Sequence, residues 1–265
     1  MVSILKEKRG NCMKRYIRFK FDNKISYGLL TGSTIEILAG NKFIDFIPTG
    51  QNVDMENVEM LIPCKPEKVI CCGLNYSDSI LEEGVTFPTK PLLFLKPPSA
   101  MIQSGENIIK NQMVEILTCE AELGVVISKK AKNVKQQDAK NYVWGYIIAN
   151  DVTAKDLQKE DIQWTRAKSF DTFLPLGSEI VADIEPNNLS IKSFINDKLV
   201  QDGNTNRMIF GIDYLISYIS QIMTLNEGDI IITGTPGGYG KIIDDSDVVK
   251  IEIEDLGFII NAIRS

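Results

Sequence analysis

The chain is predicted to be mainly β with α elements, an α+β protein. Short runs rich in β-branched and aromatic residues, bounded by Gly, Asn, Asp, Ser or Pro, recur along its length. One stretch alone carries a clear helical period. No internal repeat or low-complexity segment breaks the pattern. At 265 residues the chain can bury a sizeable core, as one large domain or as a small one followed by a larger one.

Residues 1–12 show no convincing period and Met13 opens a strand-like stretch, so the native start is expected at Met13, with the first residues a translated leader. Strands are predicted at 16–21, 25–30 and 34–38, joined by turns at Asp22-Asn23 and Gly32-Ser33. They form a small β-rich module, residues 1–65, closed by the prolines of Met60-Leu-Ile-Pro-Cys-Lys-Pro66. The second unit, residues 66–265, begins with a buried-type strand at 68–72. A helix follows from Ser77 to Glu83, stopped by Gly84. Further strands are expected at 92–95, around Glu120 and up to Asp151. A short helical turn spans 153–158, and residues 165–171 read as a loop. Strand-like runs at 178–183 and 189–195 lead into an Asn196-Asp197 hairpin turn. Ile212, Leu215, Ile216, Ile219 and Met223 recur at helical spacing and predict a helix over 209–223 whose apolar stripe faces the core. Strands at 230–233 and 248–254 close the chain.

Composition excludes several functions. A net charge of −6 without a cluster of Lys and Arg argues against nucleic acid as a partner. No apolar run reaches membrane-spanning length, and five cysteines without a C-x-x-C pair fit a reducing compartment, so a cytoplasmic location is expected. Histidine is absent altogether, which removes Ser-His-Asp and Cys-His triads and every imidazole acid–base role. Proton chemistry must then use carboxylates, Lys, Tyr, Cys or metal-bound water.

Glu120 and Glu122 stand at i and i+2 in an apolar, strand-forming run, so their carboxylates share a face. On a core strand two such charges repel and resist desolvation unless something positive lies between them. A divalent cation would serve, with Asp151 able to add a third oxygen, a donor set that suits Mg²⁺, Mn²⁺ or Ca²⁺ better than zinc. The alternative is a solvated edge strand with no ligand.

Gly73-Leu-Asn-Tyr76, Phe94-Leu-Lys-Pro-Pro98, Glu120-Ala-Glu-Leu123, Asn150-Asp-Val-Thr-Ala-Lys-Asp-Leu-Gln158, Ala167-Lys-Ser-Phe-Asp171 and Thr233-Gly-Thr-Pro236 follow one another in an order that resembles the fumarylacetoacetate hydrolase family over roughly residues 66–262. The resemblance implies a mixed β-sandwich roll preceded by a small N-terminal module. It implies Glu120, Glu122 and Asp151 as ligands of Mg²⁺ or Mn²⁺, Lys168 beside the metal, and Gln158, Gly234 and Thr235 as substrate-binding positions. The implied substrate is a small 2-keto or 1,3-dicarbonyl acid, and the implied assembly a homodimer.

One departure bears on the reaction. Family members resemble Gly-Leu-Asn-Tyr-x-Asp-His-x-x-Glu here, with the His and Glu paired for proton transfer; this chain has Ser79 for the histidine and keeps Glu82 in register. Lys155 stands where the family usually has Arg, keeping the charge and losing the bidentate fork. A serine hydroxyl is no general base at neutral pH without help. Isomerisation or keto–enol tautomerisation through a stabilised enolate, with Lys168 or Glu82 moving protons, is therefore favoured. C–C hydrolysis or decarboxylation, or a metal and keto-acid binder without catalysis, are the alternatives.

Overall fold

Turn chemistry sets the first strands. In the computed structural model, which describes residues 13–40 and 43–265, Asp22 and Asn23 take φ of 47° and 60° and fold the Lys14–Phe21 strand back on Lys24–Thr31. Gly32, at φ 61°, then turns the chain into Thr34–Ala39. A fourth strand, Ile47–Asp54, was not predicted: it lies at the sheet's outer edge and is exposed at all but one position, so no alternation of apolar and polar residues marks it. The expected leader lies outside the described residues.

These strands do not form a sheet of their own. Lys14–Phe21 pairs antiparallel with Glu179–Ala182, Tyr16 opposite Ile180, so one thirteen-stranded sheet runs from the N-terminal strands into the larger unit. Aromatic packing seals the junction. Trp144 stacks on Phe43 with ring centres 3.5 Å apart, and Tyr16, Tyr27 and Phe46 surround it.

Ala121–Ile127 is a central strand, buried at every residue, between Val143–Asn150 and Ile230–Ile232. Val69–Gly73 runs parallel to Ile230–Ile232, and Leu92–Lys96 forms the far edge. Because strand side chains alternate, Leu123, Val125 and Ile127 enter the principal core while Val126 joins a second cluster on the opposite face. Glu122, two steps from Gly124 and four from Val126, leaves by that second face.

A second, five-stranded sheet is ordered Lys198–Asn204, Ser190–Ile195, Val248–Ile253, Gly257–Arg264, Ile108–Ile109, and its Ile191, Ile251, Ile253, Ile259 and Ile263 complete the principal core. The architecture is thus mainly β, two large sheets with a short two-stranded one, Leu117–Thr118 with Thr153–Ala154, and few helices. The chain does not close on the 248–253 strand. Asp255, at φ 65°, turns it into Gly257–Arg264, whose inward face mixes Ile259 and Ile263 with Asn261 and so gave a weaker pattern. The periodic helix spans Ile212–Ile222, buries Leu215, Ile216 and Ile219, and is shorter at each end than expected. Residues expected as a loop include one helical turn, Thr165–Lys168, too brief to leave a period in the sequence.

Among the described residues no helix is long and apolar enough to cross a membrane.

Candidate active site

Glu120 immediately precedes the central strand, Glu122 lies within it, and Asp151 follows the end of its neighbour Val143–Asn150. Pairing of Ala121 with Asn150 brings the three carboxylates together, and one oxygen from each lies within 4.8 Å of the others. All three are buried, which excludes the solvated edge-strand alternative. Three hard oxygen donors at this spacing fit a hard divalent cation.

Two lysines hold the cluster. Lys168, delivered by the Thr165–Lys168 turn, places Nζ 2.6 Å from Asp151 Oδ2 and 3.0 Å from Glu120 Oε2. Lys96, at the end of the edge strand, donates to Asp151 Oδ1 at 2.5 Å and to the Val152 carbonyl at 3.0 Å. Two further oxygens are engaged: Thr153 Oγ1 donates to Glu120 Oε1 at 3.1 Å, and the Gly234 N–H to Glu122 Oε2 at 2.6 Å.

Burial pushes the Asp151 carboxyl up, but Lys168 and Lys96 more than offset it and hold it below the usual carboxylate range. Glu122 goes the other way, raised well above that range by burial and then by Asp151 and Glu120. Burial pulls the Lys168 ammonium down, and Asp151 and Glu120 reverse this and raise it above its ordinary value. Lys168 is held as a donor between Asp151 and Glu120.

The triad forms part of the wall of a cavity of about 420 Å³. Lys168, Gln158, Gly234 and Thr235 line it as well, so the structure gathers these predicted positions around one space. Thr235 is already tied to the protein, donating to the Ala121 carbonyl at 2.9 Å and accepting from Gln201 Nε2 at 3.0 Å. Ser79 faces the cavity, its hydroxyl donating to the Tyr76 carbonyl at 2.8 Å. Glu82 departs from expectation. It is not among the lining residues, and its carboxylate accepts the Gly238 N–H at 2.5 Å, fastening the Ser77–Glu83 helix to the Gly-rich loop. Glu83, Lys155, Lys159, Trp164 and Tyr239 line the cavity instead. Trp164 packs edge-on against Phe94 with ring centres 5.3 Å apart.

Sequence reasoning missed Lys96 and Gln201. Lys96 lies in the Phe94-Leu-Lys-Pro-Pro98 stretch, but nothing local pairs it with Asp151. Gln201 is a buried bridge, accepting from Ala121 N–H at 3.1 Å and donating to Thr235.

Fold and site together define a class: a two-sheet β protein with an acidic triad at one cavity, able to take a divalent cation. Residues 68–264 match the pattern described as fumarylacetoacetate (FAA) hydrolase, C-terminal, and residues 14–63 that described as Rv2993c-like, N-terminal. The chain belongs to the fumarylacetoacetate hydrolase family. It is 41% identical over 234 residues to the fumarylacetoacetate hydrolase domain-containing protein 2 homolog of Dictyostelium discoideum, covering 81% of this chain and 77% of that protein. It is 42% identical over 219 residues to the mitochondrial oxaloacetate tautomerase fahd2 of Xenopus laevis, covering 78% and 69%. Among solved structures, 2-hydroxyhepta-2,4-diene-1,7-dioate isomerase from Mycobacterium marinum superposes with a TM-score of 0.87 at 34% identity, covering 95% of this chain and 98% of that one.

Proposed function

We propose that the chain is a divalent-metal-dependent enzyme acting on 2-keto or 1,3-dicarbonyl acids through a stabilised enolate, and that its reaction is keto–enol tautomerisation or isomerisation. The buried Glu120, Glu122 and Asp151 cluster beside Lys168 carries this reading. Three carboxylates and two ammonium groups leave one formal negative charge. A divalent cation turns it to one positive charge, which favours an anionic substrate over a neutral one. Bound there, Mg²⁺ or Mn²⁺ would draw electron density from a keto-acid carbonyl. Lys168 supplies a fixed donor for a substrate oxygen, and Phe94, Val85 and Trp164 give the cavity an apolar wall that limits water.

Tautomerisation is preferred to hydrolysis because it needs no activated water. The chain has no histidine, Ser79 donates its proton to a carbonyl, and relatives in this family are named oxaloacetate tautomerases. Hydrolysis or decarboxylation is the second reading, drawn from the wider family. The proposal also includes a homodimer and a cytoplasmic setting, testable by sedimentation and by fractionation of the native host.

Oxaloacetate and an acylpyruvate, each with Mg²⁺ or Mn²⁺ and a chelator control, separate the readings when enol absorbance and pyruvate release are followed together. Metal-dependent enol loss without pyruvate is expected. Metal-dependent pyruvate release would replace tautomerisation with C–C cleavage or decarboxylation.

A further inference from the structure

We propose that Glu83 and Tyr239 form the proton-transfer pair of this cavity, Glu83 taking a proton from the carbon beside the keto group and Tyr239 giving one to the carbonyl oxygen. The inference rests on the tautomerase reading above.

The positions where a His–Glu pair would stand are otherwise engaged. Ser79 donates to the Tyr76 carbonyl, and Glu82 is bound to the Gly238 N–H and absent from the cavity wall. Of the carboxylates lining the cavity, three make up the triad, and Glu83 is the fourth. The Tyr239 hydroxyl donates to Glu83 Oε1, so a proton path between the two exists before substrate arrives. Lys155 Nζ lies 4.0 Å from the same Glu83 oxygen and 5.2 Å from the centre of the Tyr239 ring, a cation beside both groups. Burial, and then the bond to Glu83, raise the Tyr239 hydroxyl above its ordinary value, so it holds its proton until a neighbour exchanges one. Lys168 is a poorer candidate for base, because its ammonium is fixed between Glu120 and Asp151.

The step balances within the pair. The C3–H bond of the keto acid breaks and its proton passes to the Glu83 carboxylate. The electron pair left on C3 forms the C2–C3 double bond, the C2–O π pair moves to oxygen, and oxygen takes the phenolic proton of Tyr239. The proton on Glu83 then crosses the existing hydrogen bond to the phenolate, restoring both side chains. Ketonisation of the enol is the reverse. Glu83 at an exposed helix end and Tyr239 on a half-buried loop both line the cavity, where a substrate would meet them.

The test compares wild type, Glu83→Gln and Tyr239→Phe on oxaloacetate with Mg²⁺, following enol absorbance and C3 deuterium exchange, with Mn²⁺ affinity measured on each protein. Both substitutions keep shape, and Tyr239→Phe removes a single oxygen. The expected result is a loss in kcat of about a hundredfold or more for each variant, with Mn²⁺ affinity unchanged. Unchanged kcat, or an effect confined to KM, would mean the pair only latches helix to loop, and would overturn the proposal. A wild type without metal-dependent turnover overturns the tautomerase reading and the pair with it; an active wild type matched by its variants overturns the pair alone.

Discussion

Lys96 is wholly buried against Asp151, where neither group can turn to water if the other is lost. Breaking a buried ion pair from one side leaves an uncompensated charge and costs about 3–5 kcal/mol. Asp151 keeps Lys168, so Lys96→Met is expected to destabilise the metal-free protein by part of that amount in denaturant unfolding, with some of the loss recovered in excess Mg²⁺. Glu122 makes a second prediction. Its carboxyl is raised by burial and by its two carboxylate neighbours, so protons compete with a divalent cation for it as the pH falls. Mn²⁺ affinity therefore rises with pH and weakens in acid, and calorimetry in buffers of different ionisation enthalpy should show proton release on binding. No histidine competes for that assignment. The triad was legible through the ordered motifs that resemble the family, whereas the Glu120–Glu122 spacing alone left a solvated edge strand open. Lys96 was not, because its partner is 55 residues away and a lone lysine carries no local sign of burial.

The Ser77–Glu83 helix is the element on which the site's chemistry turns. Its end is local and was legible: Gly84 takes φ 65° and caps it, its N–H donating to the Ile80 carbonyl. Gly84→Ala meets no neighbour within 4 Å, so its cost is conformational, about 1 kcal/mol, visible as a lower thermal midpoint. Which acidic residue of the helix meets the cavity was not legible. A helix turns about 100° per residue, so Glu82 and Glu83 point to different places, and motif register alone chooses Glu82. Docking decides otherwise, through Gly238 N–H on Glu82 and the Arg207–Asp78 ion pair at 2.8 Å. Hairpin turns at Asp22-Asn23 and Asn196-Asp197 were readable for the same local reason that Gly84 was.

Across the whole molecule the N-terminal strands share a sheet with the residues that carry the site. Val143–Asn150, which ends at Asp151, pairs on one side with the central strand and on the other with Glu179–Ala182, itself the partner of Lys14–Phe21. Removing residues 1–63 would leave Glu179–Ala182 unpaired on one side and strip the aromatic cover from Trp144. The shortened chain is expected to aggregate or to unfold at a lower temperature by circular dichroism, whereas an unchanged midpoint would show that the modules are energetically independent. Many strands and few helices gave the fold class from sequence. The joining of the modules is set by contacts between residues more than 160 positions apart, which no local pattern records.

The chain's two tryptophans stand at two separate places, Trp144 stacked in the junction and Trp164 in the cavity wall. They make the protein its own optical instrument. Emission quenched by a keto acid or by paramagnetic Mn²⁺ reports Trp164, emission shifted by loss of the N-terminal strands reports Trp144, and a Trp144→Phe chain would carry a single lamp beside the carboxylates.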